Sequence, residues 1–316
     1  MLRFLMRRLV FIPIALLVTN FLGYSFAFSI APIVSSNNPY SRGSTNIPPV
    51  LPEYWNYLQG AMRGDFGQTY TNEPVLEAVS RVGIASLGLV GISLTLSILF
   101  GVALGRLAVR RNRVGVATWL TFTSTIGLAL PSFYIAILLI TFFLLFFLYG
   151  TSAKTPPIPF QGFGWDAHLL LPVLALTFQP TVKIAQVTGS LLSEEMEKQY
   201  VTAAMSFGHS FRRMKDRFAF RAIIAPIFLV IAASLRIMIA ELVIIERLFN
   251  WPGLGKLIAS SLSLGSRSEN LLAPPLVAAL LTVLVAVFMF SDLIATSLSR
   301  TVDPRLRVNT EPEHIA

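Results

Sequence analysis

The chain has 316 residues, 54% of them hydrophobic and 13% charged, with a formal net charge of +9. So apolar a composition excludes an ordinary water-soluble globule, and the excess of cations reads as the bias of cytosolic membrane loops, not as a nucleic-acid surface. Cysteine is absent and the three histidines (His168, His209 and His314) are scattered, so disulfides, thiolate nucleophiles and cysteine-built clusters are excluded and no metal site is expected.

A helix needs about 20 apolar residues to cross a hydrocarbon core roughly 30 Å thick. Six stretches meet that need, at about 9–31, 84–109, 116–148, 169–190, 223–248 and 273–298. The first follows Arg3, Arg7 and Arg8 and competes with a cleaved signal peptide. Its length, and Pro32 directly after Ser29-Ile30-Ala31, favour an uncleaved span. The segment 32–83 contains Pro32, Pro39, Pro48, Pro49 and Pro52, then a helical stretch near Glu53 to Ala61, then Arg63-Gly64-Asp65, read as a turn. Pro131 is expected to kink the long third span. A Pro-rich loop near 150–168 precedes the fourth span, and a short re-entrant region near 249–272 follows the fifth.

The positive-inside bias orients the set. With both termini in the cytosol, sixteen Lys and Arg residues lie in cytosolic segments and seven in outer ones, with Lys183 and Arg236 inside spans. The expected fold is an all-α integral membrane protein with six transmembrane helices and both termini cytosolic. Its parts are an N-terminal tail and first helix (1–31), an extracytoplasmic segment (32–83), a five-helix core (84–298) with a long cytosolic loop at 191–222, and a cytosolic tail (299–316).

No nucleotide-binding loop of the form Gly-x-x-x-x-Gly-Lys-Ser/Thr is present; Gly253-Leu254-Gly255-Lys256 lacks both the first glycine spacing and the hydroxyl. Any ATP must therefore be held by another subunit. Lys183, Arg236 and Glu241 fall near or within spans, with Asp292 toward the end of one. Such a charge costs about 2.5–3.5 kcal/mol to insert, so Arg236 and Glu241 are expected to face protein or water. They stand five apart, a poor pairing distance on a helix, and serve different surfaces as candidate pathway residues, or simply a wet cavity. No serine, lysine and histidine constellation points to an intramembrane hydrolase.

The loop "QYVTAAMSFGHSFRRMKDR" (199–217) reads as helix from Leu191 to Ser206, a stop at Gly208, and a second helix from near Phe211. Ala203 and Ala204 leave the first helix thin enough for a partner's backbone to approach. Taken alone, the loop reads equally as a solvated amphipathic linker.

The wider pattern is more specific. "YVTAAMSFGHS" followed by "FRAIIAPI" resembles the Glu-Ala-Ala-type loop of permease subunits in ABC importers, with Ala203, Ala204, Gly208 and Pro226 at the matching positions. "GDFGQTYTNEPVLEAV" (64–79), "ELVIIERLFNWPGLGKLI" (241–258) and "DPRLR" (303–307) resemble the oligopeptide, dipeptide and nickel branch, in order from about residue 60 to 307. The resemblance implies a B-type permease of type I importer architecture in a bacterial or archaeal cytoplasmic membrane. Its implied partners are a second homologous permease, two cytosolic ATPases that carry ATP and Mg, and an extracytoplasmic substrate-binding protein. This chain itself would bind no cofactor and catalyse nothing.

By the same resemblance the loop around Tyr200, Ala203, Ala204 and Gly208 rests on an ATPase, and Arg212, Arg213 and Lys215 are expected to add complementary charge against that surface. Spans three, four and five line the pathway. Glu246, Trp251, Pro252, Gly253 and Gly255 look like an outer turn that closes the exit, with ordinary loop punctuation as the other reading of the last four, and di- or oligopeptides are the expected cargo. Three departures bear on the cargo, leaving nickel or another small solute as alternatives. "SIAPIVSSNNPYSRGS" replaces the usual Pro-Gly-Asp-Pro region, "RFAFR" (217–221) replaces His-Ala-x-Arg-Asn, and Glu241 occupies a customary glycine position. A single-chain secondary transporter and a membrane scaffold are the rival classes.

Overall fold

The computed structural model describes residues 2–36, 49–110, 115–150, 158–262 and 273–302. Twelve α-helices follow in chain order: α1 (Leu2–Ser36), α2 (Val50–Met62), α3 (Val75–Ala108), α4 (Thr118–Ala129), α5 (Ser132–Gly150), α6 (Leu170–Met196), α7 (Gln199–Ser206), α8 (Phe211–Arg213), α9 (Phe220–Ala222), α10 (Ile224–Leu248), α11 (Leu254–Leu262) and α12 (Pro274–Val302). A π-helical turn, Met214–Ala219, joins α8 to α9. Among the described residues β-pairing is limited to two isolated bridges, Gln68 with Pro74 and Val109 with Val116.

Among the described residues six helices are long and apolar enough to cross a membrane, over Val10–Pro32, Val75–Ala108, Ser132–Gly150, Ala167–Met196, Ile224–Leu248 and Pro274–Ile294. They coincide with the six expected spans, with one correction. The third is not one kinked helix but two, because Leu130 adopts an extended ψ of 111° between α4 and α5. Pro131 enforces this: it supplies no N–H, and its ring pushes the preceding residue out of the helical region. The expected Asp-Pro-Arg motif at 303–307 and most of the 299–316 tail lie outside the described residues.

The described residues form two compact units, one drawn from within 1–88 and 250–290, the other from within 89–249 and 291–302. In the first unit, α1, α2 and α12 meet around Asn20. Its amide donates to Thr282 Oγ1 at 3.1 Å and accepts from the Tyr54 hydroxyl at 3.3 Å. Tyr24 stacks on Tyr57 with ring centroids 5.0 Å apart, and Phe21 meets Tyr54 edge-on at 5.0 Å. Residues 63–65 form the expected turn, with Gly64 at φ 90° and the Asp65 amide donating back to Gly60.

In the second unit α6 is the central helix, and fourteen of its residues, from Leu171 to Met196, are buried. It packs directly against α3 because small residues face it. A Cβ added at Gly105 would lie 2.7 Å from the Ala185 carbonyl oxygen, and one at Gly101 would lie 2.8 Å from Ile184. This is the small-residue crossing that lets membrane helices touch along their backbones. Beside it, Ser97 Oγ donates to the Thr177 carbonyl at 3.2 Å and Thr177 Oγ1 donates to the Ser93 carbonyl at 3.3 Å, so these two buried hydroxyls find partners across the crossing.

Candidate functional site

The loop between α6 and α10 is built on a helix break. The expected single helix from Leu191 to Ser206 ends at Met196 and restarts at Gln199, with Lys198 extended at ψ 146°. Glu195 holds the joint: its two carboxylate oxygens accept from the Lys198 ammonium at 2.6 Å and the Tyr200 hydroxyl at 2.9 Å. Partial desolvation, and then the bond to this carboxylate, push the Tyr200 phenol up to about 12, so the donor stays protonated at neutral pH.

The short helix α7 turns Val201 inward, fully buried with Leu192, Met196, Met214, Ala219, Ile223 and Ile227. Burying Val201 and Met214 stabilises this docking by about 1.5–3 kcal/mol each. On the other face Ala203, Met205 and Ser206 are exposed, while Ala204 is only partly so. The helix ends in a Schellman arrangement: the Gly208 amide donates to the Met205 carbonyl at 3.0 Å and the His209 amide to the Ala204 carbonyl at 3.2 Å. That geometry requires a left-handed residue, and Gly208 sits at φ 90°. The turn presents Phe207 outward at 87% exposure, a large apolar side chain left for something other than this chain.

Ser210 caps the next helix through its hydroxyl, which accepts from the Arg213 amide. The π-helical turn that follows aims two side chains at the end of α3. Asp216 accepts from the Arg106 guanidinium at 2.9 Å, and Lys215 donates to the carbonyls of Arg106 at 3.1 Å and Val109 at 3.4 Å. The Lys215 ammonium thus serves the unpaired carbonyls of a helix C-terminus, where positive charge is favoured. This corrects the expectation that Lys215 contributes outward charge. Arg212 remains exposed, 3.7 Å from Asp216, and Arg213 is exposed as well. Arg106 also covers the Phe220 ring at 4.8 Å.

Arg236 and Glu241 serve different surfaces, as their spacing suggests. Arg236 donates to Asp292 of α12 at 2.6 Å. Glu241 is turned to the start of α5, where Oε1 accepts from the Ser132 amide at 3.4 Å while Oε2 is buried with no hydrogen-bond partner. A carboxylate beside the first amide of a helix meets the positive end of its dipole. Of the expected outer turn, Glu246 belongs instead to α10 and is fully buried, and Gly255 lies within α11. Trp251 is fully buried with its indole N–H donating to the Ala85 carbonyl at 3.1 Å, and the Leu254 amide donates to Ser86 Oγ at 2.7 Å. Pro252 and Gly253 complete a short turn in which the Gly253 amide returns to the Trp251 carbonyl.

Residues 82–308 match the family of binding-protein-dependent transport system inner membrane components. The chain belongs to this family. The permease is similar to a probable peptide ABC transporter permease protein of Sinorhizobium fredii, at 28% identity over 82% of this chain and 81% of the relative. It is 25% identical to a dipeptide transport system permease protein of Lactococcus lactis, over 82% of each chain. It is 27% identical to an oligopeptide transport system permease protein of Bacillus subtilis, over 82% of this chain and 81% of the relative. The permease is thus a multi-pass membrane component of an ABC importer and is not itself the catalytic part.

Three residues that carry the loop's geometry were not singled out from sequence: Glu195, Asp216 and Phe207. A signal for Asp216 was present, since it is the only acid between Lys198 and Ile223.

Proposed function

We propose that the permease forms half of the translocation pathway of an ATP-driven importer of di- or oligopeptides, and that α7 with its Gly208 turn is the contact through which a separate ATPase moves the spans. The observation that carries this reading is the two-sidedness of α7. Val201 is locked into the helix core while Phe207, a few residues on, is 87% exposed at a rigid turn. Such an element transmits displacement, because its inner face cannot slip and its outer face offers small residues and one aromatic anchor to a groove. The names of the similar permeases supply the peptide class. The remaining partners are a second permease, two ATPases binding ATP and Mg, and an extracytoplasmic binding protein, with both termini of this chain in the cytosol of a bacterial or archaeal cell.

The test is reconstitution with the partner subunits, with Phe207→Asp in α7's exposed turn. The expected result is loss of ATPase association and of peptide uptake, with the permease still folded. Unchanged association, or uptake by the permease alone along an ion gradient, would overturn the reading.

A further inference from the structure

Arg213, Arg217 and Arg221 follow one another at four-residue intervals through the π-helical turn, and line one open cleft of 540 Å³ with Phe218 and Ala222. Residues four apart return to one face of a helix. All three arginines are exposed, and among the described residues no side-chain hydrogen bond or ion pair engages them. The local acid is already committed, since Asp216 accepts from Arg106 and sits 3.7 Å from Arg212. Three like charges therefore converge on a concave surface, and no acid among the described residues pairs with them.

Position and chemistry name the missing partner. Arg221 lies three residues before Ile224, where the apolar helix α10 begins, so the cleft stands at the mouth of a membrane span. Phe218 at its edge is 45% exposed. Guanidinium groups bind phosphate oxygens through paired N–H donors, aromatic rings favour the headgroup layer, and basic clusters beside a cytosolic span end attract anionic lipid. We infer that this cleft binds the phosphate of an anionic phospholipid in the cytosolic leaflet. The leaflet rests on the cytosolic placement of the loop under the proposed function; the phosphate chemistry does not. The bound headgroup neutralises the stripe and seats the loop against the membrane surface.

The assembled transporter, placed in nanodiscs containing phosphatidylglycerol and phosphatidylcholine and then analysed by native mass spectrometry, tests the inference. The wild type should retain phosphatidylglycerol over phosphatidylcholine, each Arg→Gln change should lower that preference about fivefold, and the triple Gln variant should abolish it. The triple Arg→Lys variant, which keeps the charge, should keep most of it and controls for misfolding. Undiminished retention by the triple Gln variant would overturn the site. So would a triple Gln variant that loses ATPase association while its lipid count is unchanged, because the stripe would then be a protein-docking surface. Displacement of the lipid by millimolar inorganic phosphate would reassign the cleft to free phosphate and overturn the lipid. Maleimide labelling of Ser210→Cys from the exterior would refute the loop's cytosolic placement, and with it the coupling reading, while the lipid count still judges the phosphate site.

Discussion

Asp216 and Arg106, 110 residues apart in sequence, meet at 2.9 Å and join the loop between α6 and α10 to the C-terminal end of α3. Lys215 reinforces the joint through the carbonyls of Arg106 and Val109. Under the proposed function, a push on α7 reaches α3 through these two contacts and reaches α6 through the continuous core around Val201 and Leu192.

Because both charged groups are more than a quarter exposed, the ion pair contributes little to stability, below about 1 kcal/mol. Asp216→Asn should therefore leave the unfolding temperature within about 4 °C of wild type while lowering coupled peptide uptake about threefold to tenfold. The charge swap Arg106→Asp with Asp216→Arg should recover much of the loss. Uptake by Asp216→Asn equal to wild type would show that the joint carries no force.

Gly208 lies at φ 90° with open space around its missing Cβ, so a substitution there strains the backbone without crowding a neighbour. The cost is about 1–2 kcal/mol for an ordinary side chain and more for a β-branched one, whereas asparagine tolerates the left-handed region. The expected order of uptake per ATP hydrolysed in reconstituted complexes is wild type, then Asn, then Ala, then Val. Normal stoichiometry in Gly208→Val would show that α7 can couple without its turn.

The left-handed glycine was legible in sequence because one residue type solves one local problem, and so were the six spans, which depend on length and composition alone. Pro131 was legible as an interruption, though its severity was not, since a kink and a full break differ by the conformation of one neighbour, Leu130. The break at Lys198 was hidden. Leu191 to Ser206 contains neither Gly nor Pro, and at the interruption Glu195 pairs with both Lys198 and Tyr200. Nor could spacing disclose the partner of Arg236, because Asp292 is 56 residues away on another helix.

The crossing of α3 and α6 gives a stability test with an internal control. Gly105→Ala would place a Cβ 2.7 Å from both the Ala185 carbonyl oxygen and Thr188 Cβ, forcing the helices apart, whereas a Cβ at Gly91 on the same helix meets nothing within 4 Å. Overpacking of this kind costs about 1–3 kcal/mol, while Gly→Ala at an open helical site gains roughly 0.5–1 kcal/mol. Thermal unfolding in detergent should thus fall for Gly105→Ala and hold or rise for Gly91→Ala. Equal behaviour of the two would refute the close backbone crossing.

Glu241 presents the sharper functional question, since its two oxygens face different demands. Oε1 holds the Ser132 amide at the start of α5, and Oε2 is buried without a partner, with Arg236 already committed to Asp292. A carboxylate with one oxygen anchored and one unpartnered can meet the ammonium of a peptide or another cationic solute, without losing its grip on the helix, once helix movement uncovers the second oxygen. Glu241→Gln keeps an acceptor for Ser132 and removes only the charge. Uptake of lysine-rich peptides should then fall about tenfold, roughly the 1.4 kcal/mol of one weakened charge-assisted contact, while neutral peptides change less than twofold. If both classes fall together, the carboxylate serves to fix the α4–α5 break and plays no part in choosing the solute.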